Sequence, residues 1–292
     1  ENVPALFLVH GYPDDSRVWD PVCRLLAEDF RLIRFDVRGA GASQTPAQPT
    51  GYGLPQLADD IFSVIKACHP EGPVHLVGHD WGAIQAWEAA TDARADTALR
   101  SLSVISGPCL DHVGNWMRQQ WRARDIAGLS RQLASSWYIA AFHLPLFAPT
   151  LWRAGFDRLW PSLLEKREQI VEEPGSDRRR DGINGIQLYR NNIIERLRQP
   201  RERYCQIPVQ ILIPEQDAFV GGDIMASARP WVKQLSMESV DAGHWVPLSH
   251  PDKVASWLKR HHQSLPNMGA NIGKQAAGGL ICAPWPLPKP LH

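Results

Sequence analysis

The sequence predicts an α/β fold in which a mostly parallel central sheet is flanked by helices and carries an inserted helical cap. Short apolar runs alternate with helical patterns along the chain, as they do when helices cover both faces of a parallel sheet. The alternation stops once, over a long segment rich in aromatic residues and arginine. One apolar run also leads through a glycine turn straight into a helix. Together these three observations indicate a single sheet-based core with one insertion.

Six apolar runs, rich in β-branched residues and leucine, are predicted as strands. They span residues 5–11, 30–37, 74–80, 99–107, 209–214 and 237–244. Between them, residues 57–68 repeat apolar side chains at helical spacing, and residues 83–93 form a helix directly after the third strand. A strand, a turn and a helix therefore surround Asp80.

The long interruption predicts a separate helical layer. Residues 111–204 have no strand signal, yet their aromatic and arginine-rich stretches follow helical patterns. We expect them to form a helical cap over the sheet, so that residues 1–110 and 205–263 form the core. Residues 264–292 are rich in Pro, Gly and Ala without periodicity, which predicts an irregular tail or linker.

Two local patterns resemble anion-binding motifs without meeting their requirements. The arginine run at residues 178–180 is flanked by Asp177 and Asp181, and we interpret it as a solvated loop rather than a phosphate site. The glycine-rich residues 39–43 lack the sixth-position glycine of a dinucleotide-binding turn, since Gln44 stands there. No nucleotide cofactor is expected.

Composition and charge describe a globular chain. Its 292 residues are 44% hydrophobic, enough for one sizeable core with an appendage. The 31 Lys and Arg balance the 31 Asp and Glu, so no basic surplus favours a nucleic-acid or membrane partner. Five cysteines without metal-type spacing favour a reducing compartment. No apolar run approaches the roughly 20 residues of a membrane helix, and we expect a cytoplasmic protein without a metal site.

The stretch "LVGHDWGA" places Asp80 between two glycines in a predicted turn. Gly78 and Gly82 allow the chain to reverse tightly and hold the middle side chain exposed above the sheet, as in a nucleophile elbow. The alternative is an aspartate that caps the helix N-terminus. The paired glycines favour the nucleophile.

An aspartate nucleophile indicates the kind of carbon that it attacks. A serine that attacked a saturated carbon would form an ether, whereas an aspartate forms an ester whose carbonyl carbon water can attack. The substrate is therefore predicted to react at an sp³ carbon. With an ordinary pKa of about 3.9, the carboxylate is already ionised at neutral pH. A general base is needed only for the second step, the attack of water.

His244 is the predicted base for this second step. It follows the last predicted strand in a glycine turn, from which a loop can bring an imidazole over the elbow; His250 lacks that setting. The acid that orients the base should follow the preceding strand, where Asp217 is favoured. Glu215, nearer the strand end, and Asp111, after an earlier strand, remain alternatives.

Attack of water on the ester produces an oxyanion, which two backbone N–H groups must stabilise. Trp81, directly after the nucleophile, offers one N–H at the helix N-terminus. Tyr12, in the loop after the first strand, offers the other. His10 in the same loop is predicted to have a buried structural role.

Five motifs, "HGYP", "DVRGAGAS", "GHDWG", "EQDAFV" and "DAGHW", closely resemble those of the α/β-hydrolase-fold epoxide hydrolases and of their relatives, the haloalkane dehalogenases. The resemblance covers roughly residues 5–262. It implies a helical cap, a cis Tyr12–Pro13 peptide bond and no cofactor. Family members usually have two more strands before the "HG" strand with which this sequence begins. The implied site roles are Asp80 as nucleophile, Asp217 and His244 as orienting acid and base, and the N–H groups of Tyr12 and Trp81 as oxyanion hole.

The leaving group distinguishes the two kinds of enzyme in this family. An epoxide opens to a basic alkoxide and needs a proton donor, whereas a halide leaves without one; tyrosine, with a pKa of about 10, can donate. Tyr138 and Tyr189 match the two ring-opening tyrosines of epoxide hydrolases, and Tyr204 is a third tyrosine of the cap. His143 stands where the family usually has glutamine. A dehalogenase is expected to have asparagine or glutamate in place of Tyr12.

The sequence thus predicts hydrolysis of an epoxide to a vicinal diol through a covalent aspartyl ester. An aromatic cap indicates a small apolar substrate; its large rings are Trp116, Trp121, Trp137, Phe142, Trp152 and Trp160. The alternatives are haloalkane dehalogenase-type hydrolysis and a non-catalytic ligand-binding module, although such a module is expected to lack the nucleophile or the base. A homodimer remains open, as does fusion to a second enzyme domain such as a short-chain dehydrogenase.

Overall fold

In the computed structural model, parallel strands form one central sheet. The structure describes residues 3–125, 137–171, 177–265 and 281–283, without the side chains of residues 137, 138 and 281–283. The strands are β1 (Ala5–Val9), β2 (Arg31–Phe35), β3 (Val74–His79), β4 (Leu99–Ile105), β5 (Val209–Pro214), β6 (Leu235–Val240) and β7 (Ile281–Ala283). Their order across the sheet is β6-β5-β4-β3-β1-β2-β7.

All six predicted strands are present, and each paired strand is parallel to its neighbour. The last of them occupies Leu235–Val240 rather than residues 237–244. Its start is earlier because Leu235 pairs with Val209 of β5, and the pairing ends at Val240. His244 therefore lies in the loop after β6, which agrees with the predicted position after the last strand.

The short strand β7 lies in the segment predicted as an irregular tail. Ile281–Ala283 pairs in parallel with residues 33–35 of β2. A three-residue strand has too little alternation to be recognised in a sequence. What favours it is the row of backbone groups that β2 presents at its edge.

Helices connect the strands and also form the cap. The described α-helices are α1 (Asp20–Leu26), α2 (Leu54–Cys68), α3 (Trp81–Ala90), α4 (Ala95–Ala98), α5 (Leu110–Ala123), α6 (Trp137–His143), α7 (Phe147–Leu151), α8 (Asp157–Glu168), α9 (Arg178–Arg198), α10 (Gly222–Ala226), α11 (Val246–Ser249) and α12 (Pro251–Ser264). A π-helical segment, Trp152–Phe156, joins α7 to α8. Across the described ranges, no helix combines the length and apolar character needed to cross a membrane.

Helices pack on both faces of the sheet, as the alternating pattern predicted. On one face, α2 and α3 bury Ile61 and Trp87 in a core with Phe7 of β1. On the other face, α1 and α12 bury Leu26 and Trp257 in a second core. Both faces of each central strand are thus removed from water, which explains why these strands are apolar runs rather than alternating ones.

The described residues between 111 and 204 form helices and no strand, in agreement with the predicted insertion. The cap runs from α5, just after β4, to α9, just before β5. Asn192 of α9 fastens the cap to the core: it accepts a hydrogen bond from the N–H of Leu54 at 2.9 Å and donates one to the carbonyl oxygen of Tyr52 at 2.9 Å. The exact boundaries between core and cap, after residue 110 and before residue 205, stay a prediction.

The arginine run does not form the solvated loop that we expected from the sequence. It begins α9, and Arg178 is only 8% exposed. Its guanidinium lies 3.4 Å from a carboxylate oxygen of Asp14 in the core, while Arg179 lies 3.1 Å from Asp157 of the cap. The interpretation was wrong because acidic side chains that are distant in sequence supply the pairing here.

Candidate active site

Asp80 lies at the turn between β3 and α3, and its backbone is unusual. Its φ of 53° and ψ of −123° place a residue with a side chain where glycine is favoured. The turn is also crowded. A Cβ on Gly82 would fall onto the carbonyl oxygen of Val9, and one on Gly78 would lie 2.5 Å from the Cα of Ala83. Both glycines are therefore required by space, and Asp80 begins a helix without capping it through its side chain.

His244 stands between two carboxylates. Its Nδ1 lies 2.8 Å from Oδ2 of Asp217, and its Nε2 lies 3.5 Å from Oδ2 of Asp80. The Asp217 carboxylate is fully buried. Its other oxygen accepts hydrogen bonds from the N–H groups of Phe219 at 2.8 Å and Val220 at 3.0 Å. One imidazole thus connects the orienting acid to the predicted nucleophile.

The structure brings Asp217, and neither of its alternatives, to His244. Asp111 instead receives Arg201, whose guanidinium lies 2.6 Å from Oδ2 of Asp111. Glu215 is exposed to solvent. The alternative base, His250, contacts Ser249 at 3.0 Å, at the start of α12.

These carboxylates decide the protonation of His244. Burial disfavours the imidazolium, but the charges of Asp217 and Asp80 outweigh burial and raise the pKa of His244 well above its ordinary value. Burial also opposes the charged form of Asp217. The positive charge of His244 and its hydrogen bond outweigh that effect, and the pKa of Asp217 is lowered. The free site therefore favours an imidazolium held by carboxylates.

The predicted oxyanion hole faces the other oxygen of the nucleophile. The backbone N–H of Tyr12 donates to Oδ1 of Asp80 at 2.7 Å, and the Tyr12–Pro13 peptide bond is cis, as expected. Trp81 is the first residue of α3, where backbone N–H groups have no partner within the helix. His10 is fully buried, and its Nε2 accepts the N–H of Val37 at 2.9 Å, which confirms its structural role.

The Tyr12 side chain makes its polar contacts with the cap. Its hydroxyl donates to the carbonyl oxygen of Gly182 at 2.9 Å and accepts the indole N–H of Trp152 at 2.8 Å. Burial raises the pKa of this hydroxyl far above the ordinary value. Both partners belong to the cap, so Tyr12 connects the cap to the loop that holds Asp80.

A cavity of about 600 Å³ opens above Asp80, between the core and the cap. Apolar side chains dominate its walls, and the polar or charged exceptions are few. The apolar lining includes Ile84, Leu110, Val113, Met117, Ile139 and Ile193, and the polar lining includes Asp80, Ser106, His143, Tyr189 and Arg198. Such a space suits an apolar molecule that presents one reactive group to the carboxylate.

Of the two tyrosines predicted to open the ring, one can be placed. Tyr189 of α9 lines the cavity together with Asp80 and is 5% exposed, with its ring 4.8 Å from that of Trp81. The backbone of Tyr138 lies in α6, but its side chain lies outside the described part of the structure. Tyr204 is 55% exposed and packs beside Trp231.

His143, which replaces the usual glutamine, lies on the cavity wall. Its Nδ1 lies 2.8 Å from the carbonyl oxygen of Ile139, one turn earlier in α6. A carbonyl can only accept, so Nδ1 donates this hydrogen bond. Within the residues that the structure describes, no three His, Cys, Asp or Glu side chains cluster in a way that could hold a metal ion.

Sequence reasoning missed two residues that hold the loop of His244. His79 directly precedes Asp80, and its Nε2 donates to the carbonyl oxygen of His244 at 2.9 Å. Glu168 ends α8, and its carboxylate accepts the N–H groups of His244 and Trp245. The "GHDWG" motif contains the first residue, but no local signal connects Glu168 to a loop 76 positions away.

A nucleophile in a strand-to-helix elbow, with its acid and histidine on later loops, is the arrangement of the α/β hydrolases. Residues 4–251 match the model of the family with the α/β hydrolase fold, and the chain belongs to this family.

Its relatives include proteins with two kinds of name. A Mycobacterium tuberculosis protein called "Probable oxidoreductase EphD" is 32% identical over 267 residues, which cover 87% of this chain and 44% of that protein. The chain thus spans less than half the length of this relative. "Epoxide hydrolase 3" of Mus musculus is 26% identical over 275 residues, which cover 90% of this chain and 72% of the mouse protein.

Solved structures share the fold. The epoxide hydrolase of Bacillus megaterium, crystallised with an inhibitor, superposes with a TM-score of 0.75 at 22% identity, over 89% of this chain and 94% of that one. The Vigna radiata epoxide hydrolase VrEH1 gives a TM-score of 0.67 at 18% identity, over 89% and 91% of the two chains.

Proposed function

We propose that this chain hydrolyses an epoxide to a vicinal diol through an ester of Asp80. One observation carries the proposal. The two oxygens of the Asp80 carboxylate have different surroundings, since Oδ1 accepts the N–H of Tyr12 at 2.7 Å and Oδ2 faces Nε2 of His244 at 3.5 Å. The relatives named epoxide hydrolase support the same reaction.

The first step is attack on the epoxide. Oδ2 of Asp80 forms a bond to one ring carbon while that carbon's bond to the ring oxygen breaks. The ring oxygen becomes a basic alkoxide unless it is protonated, and Tyr189 is the described proton donor on the cavity wall. Tyr138 is proposed as a second donor. No base acts in this step because a carboxylate attacks without first losing a proton.

The second step is hydrolysis of the ester. His244 takes a proton from water, and the oxygen of that water attacks the carboxyl carbon of Asp80. Oδ1 then carries the negative charge, next to the N–H of Tyr12 and, in our proposal, that of Trp81. Collapse of this intermediate breaks the ester bond, and the His244 imidazolium gives its proton to the departing oxygen of the diol. The acid proton left on Asp80 passes to the tyrosine that protonated the ring oxygen, which restores the carboxylate.

Formation of the ester also prepares the base. In the free site, the charges of Asp217 and Asp80 both raise the pKa of His244. When Asp80 becomes an ester, it loses its negative charge. The pKa of His244 therefore falls as the first step is completed, which favours the neutral imidazole that the second step needs. Asp217 keeps its charge and stabilises the imidazolium once a proton arrives.

The test uses intact-protein mass spectrometry with styrene oxide and a long-chain terminal epoxide. His244→Gln should gain the mass of one epoxide and retain it, because alkylation proceeds and hydrolysis stalls. Asp80→Asn should gain nothing and make no diol. His250→Gln is the matched control, since it removes an imidazole six residues away, and it should turn over without accumulating an adduct.

The outcomes distinguish the candidate functions. Loss of diol production in His244→Gln without any adduct would contradict the two-step route. Halide release from haloalkanes by the wild-type protein, with no diol from either epoxide, would assign it to the dehalogenase side instead. Binding of both epoxides without turnover would favour a non-catalytic module.

Three further assignments stay predictions. A homodimer is one of them and a fusion to a second enzyme domain is another; the length and the name of the mycobacterial relative are consistent with a fusion. The third is the cytoplasmic location, which rests on the presence of five cysteines, an odd number, scattered along the sequence.

A further inference from the structure

The loop that carries His244 is held by a carboxylate from the cap. Glu168 is the last residue of α8. Its Oε1 accepts the backbone N–H of His244 at 3.2 Å, and its Oε2 accepts that of Trp245 at 3.3 Å. Each oxygen of one carboxylate thus takes one of two successive N–H groups, a charge-assisted arrangement with defined geometry.

The residue before His244 leaves room for this contact. A Cβ on Gly243 would fall directly onto the carboxylate of Glu168. Gly243 is not among the residues with a positive φ, so an alanine could adopt its backbone conformation. Glycine is therefore needed here for the space that Glu168 occupies.

The other contacts of His244 come from the core. Asp217, after β5, holds Nδ1 of the imidazole, and His79, at the end of β3, holds the carbonyl oxygen. Glu168 alone among these three belongs to the cap. The cap also reaches the loop through Trp160 of α8, whose ring lies 5.5 Å from that of Trp245.

We propose that Glu168 is a positioning residue for His244, and that it fixes the imidazole over Asp80 for the attack of water. This inference rests on the proposed function. Because His244 acts only in the second step, the loss of Glu168 should slow ester hydrolysis and leave alkylation nearly unchanged. A merely structural role in the cap would disturb both steps alike.

The test measures the two steps separately. Glu168→Ala should lower the single-turnover rate of ester hydrolysis at least roughly tenfold, since small displacements of a catalytic group have effects of that size or larger. Styrene oxide should then leave an ester on Asp80 that accumulates at steady state in the mass spectrum. Glu168→Gln keeps one acceptor and should recover part of the rate. Glu165→Ala, an exposed residue of the same helix, is the matched control and should behave as wild type.

A double variant tests the contact itself. Gly243→Ala should also slow ester hydrolysis, because its methyl group displaces the Glu168 carboxylate. With Glu168→Ala the obstacle is gone, so the double variant should be no slower than Glu168→Ala alone. Additive losses would contradict the proposal.

Amide hydrogen exchange decides the matter without a substrate. The peptide containing His244 and Trp245 should exchange faster in Glu168→Ala than in Glu165→Ala. Unchanged exchange, or equal losses in alkylation and hydrolysis, would overturn the positioning role. If the wild-type protein forms no ester with any epoxide, the proposed function fails, whereas normal ester turnover in Glu168→Ala refutes only the inference about Glu168.

Discussion

The core and the cap contribute to the candidate site in different ways. Asp80, Asp217 and His244 come from the core, each within a few residues of a strand end, and their contacts are described down to single atoms. The cap contributes Tyr189, part of the cavity wall and the Glu168 carboxylate, all through packing between distant segments. In the proposed reaction, the ester chemistry thus resides in the core, while ring opening and the placement of the base depend on the cap.

The largest expected effect tests the core. Asp217→Asn keeps the shape of the side chain but removes the charge that stabilises the His244 imidazolium. Loss of the equivalent acid in a serine protease lowers kcat by about 10⁴, and we expect ester hydrolysis to fall by about 10³ to 10⁴ with alkylation little changed. Rapid-quench mass spectrometry measures both steps. Glu215→Gln, an exposed neighbour, should have no comparable effect, and an equal loss there would show that the core acid is assigned wrongly.

The next effect tests the cap. Tyr189→Phe removes a proton donor while the nucleophile, base and oxyanion N–H groups remain, so alkylation should slow by about 10². Combined with Tyr138→Phe, the loss should grow, because neither hydroxyl can then protonate the ring oxygen. Quenching of tryptophan fluorescence can follow alkylation, since Trp81 adjoins Asp80. Tyr204→Phe is the control. If the double variant formed the ester at the wild-type rate, the two tyrosines would have no role as proton donors and would only pack within the cap.

The smallest expected effect is a change in the pKa of His244, which connects ester formation to ester hydrolysis. Asp80→Asn imitates the charge of the ester, so NMR titration should give a lower pKa for His244 than in the wild type. A raised folded-state pKa means that the His244 contribution to stability is complete below the unfolded value of about 6.5 and is lost as pH rises through the folded pKa. In Asp80→Asn this contribution should be smaller, and its loss should be complete at a lower pH. An unchanged pKa of His244 in Asp80→Asn would contradict the proposal that ester formation lowers this pKa.

The difference between core and cap also explains how much could be predicted from the sequence. The strands, the elbow at Asp80 and the loop position of Asp217 follow from local patterns, because each depends on a strand and the few residues after it. Pairing of Arg178 with Asp14 and of Glu168 with the His244 backbone joins segments more than 70 residues apart, and no local pattern records it. Strand β7 escaped prediction for a related reason, since the edge of β2 favours it more than its own three residues do.

The central claim is that Asp80 forms an ester whose carboxyl carbon, rather than the substrate carbon, is attacked by water. A single turnover with protein in excess over epoxide, in water enriched in the heavy oxygen isotope, tests this most directly. We predict that the label enters the peptide containing Asp80 and is absent from the diol, because the alcohol oxygen formed in that turnover comes from the original carboxylate. Label in the diol and none in the Asp80 peptide would contradict the account, since water would then have opened the epoxide directly.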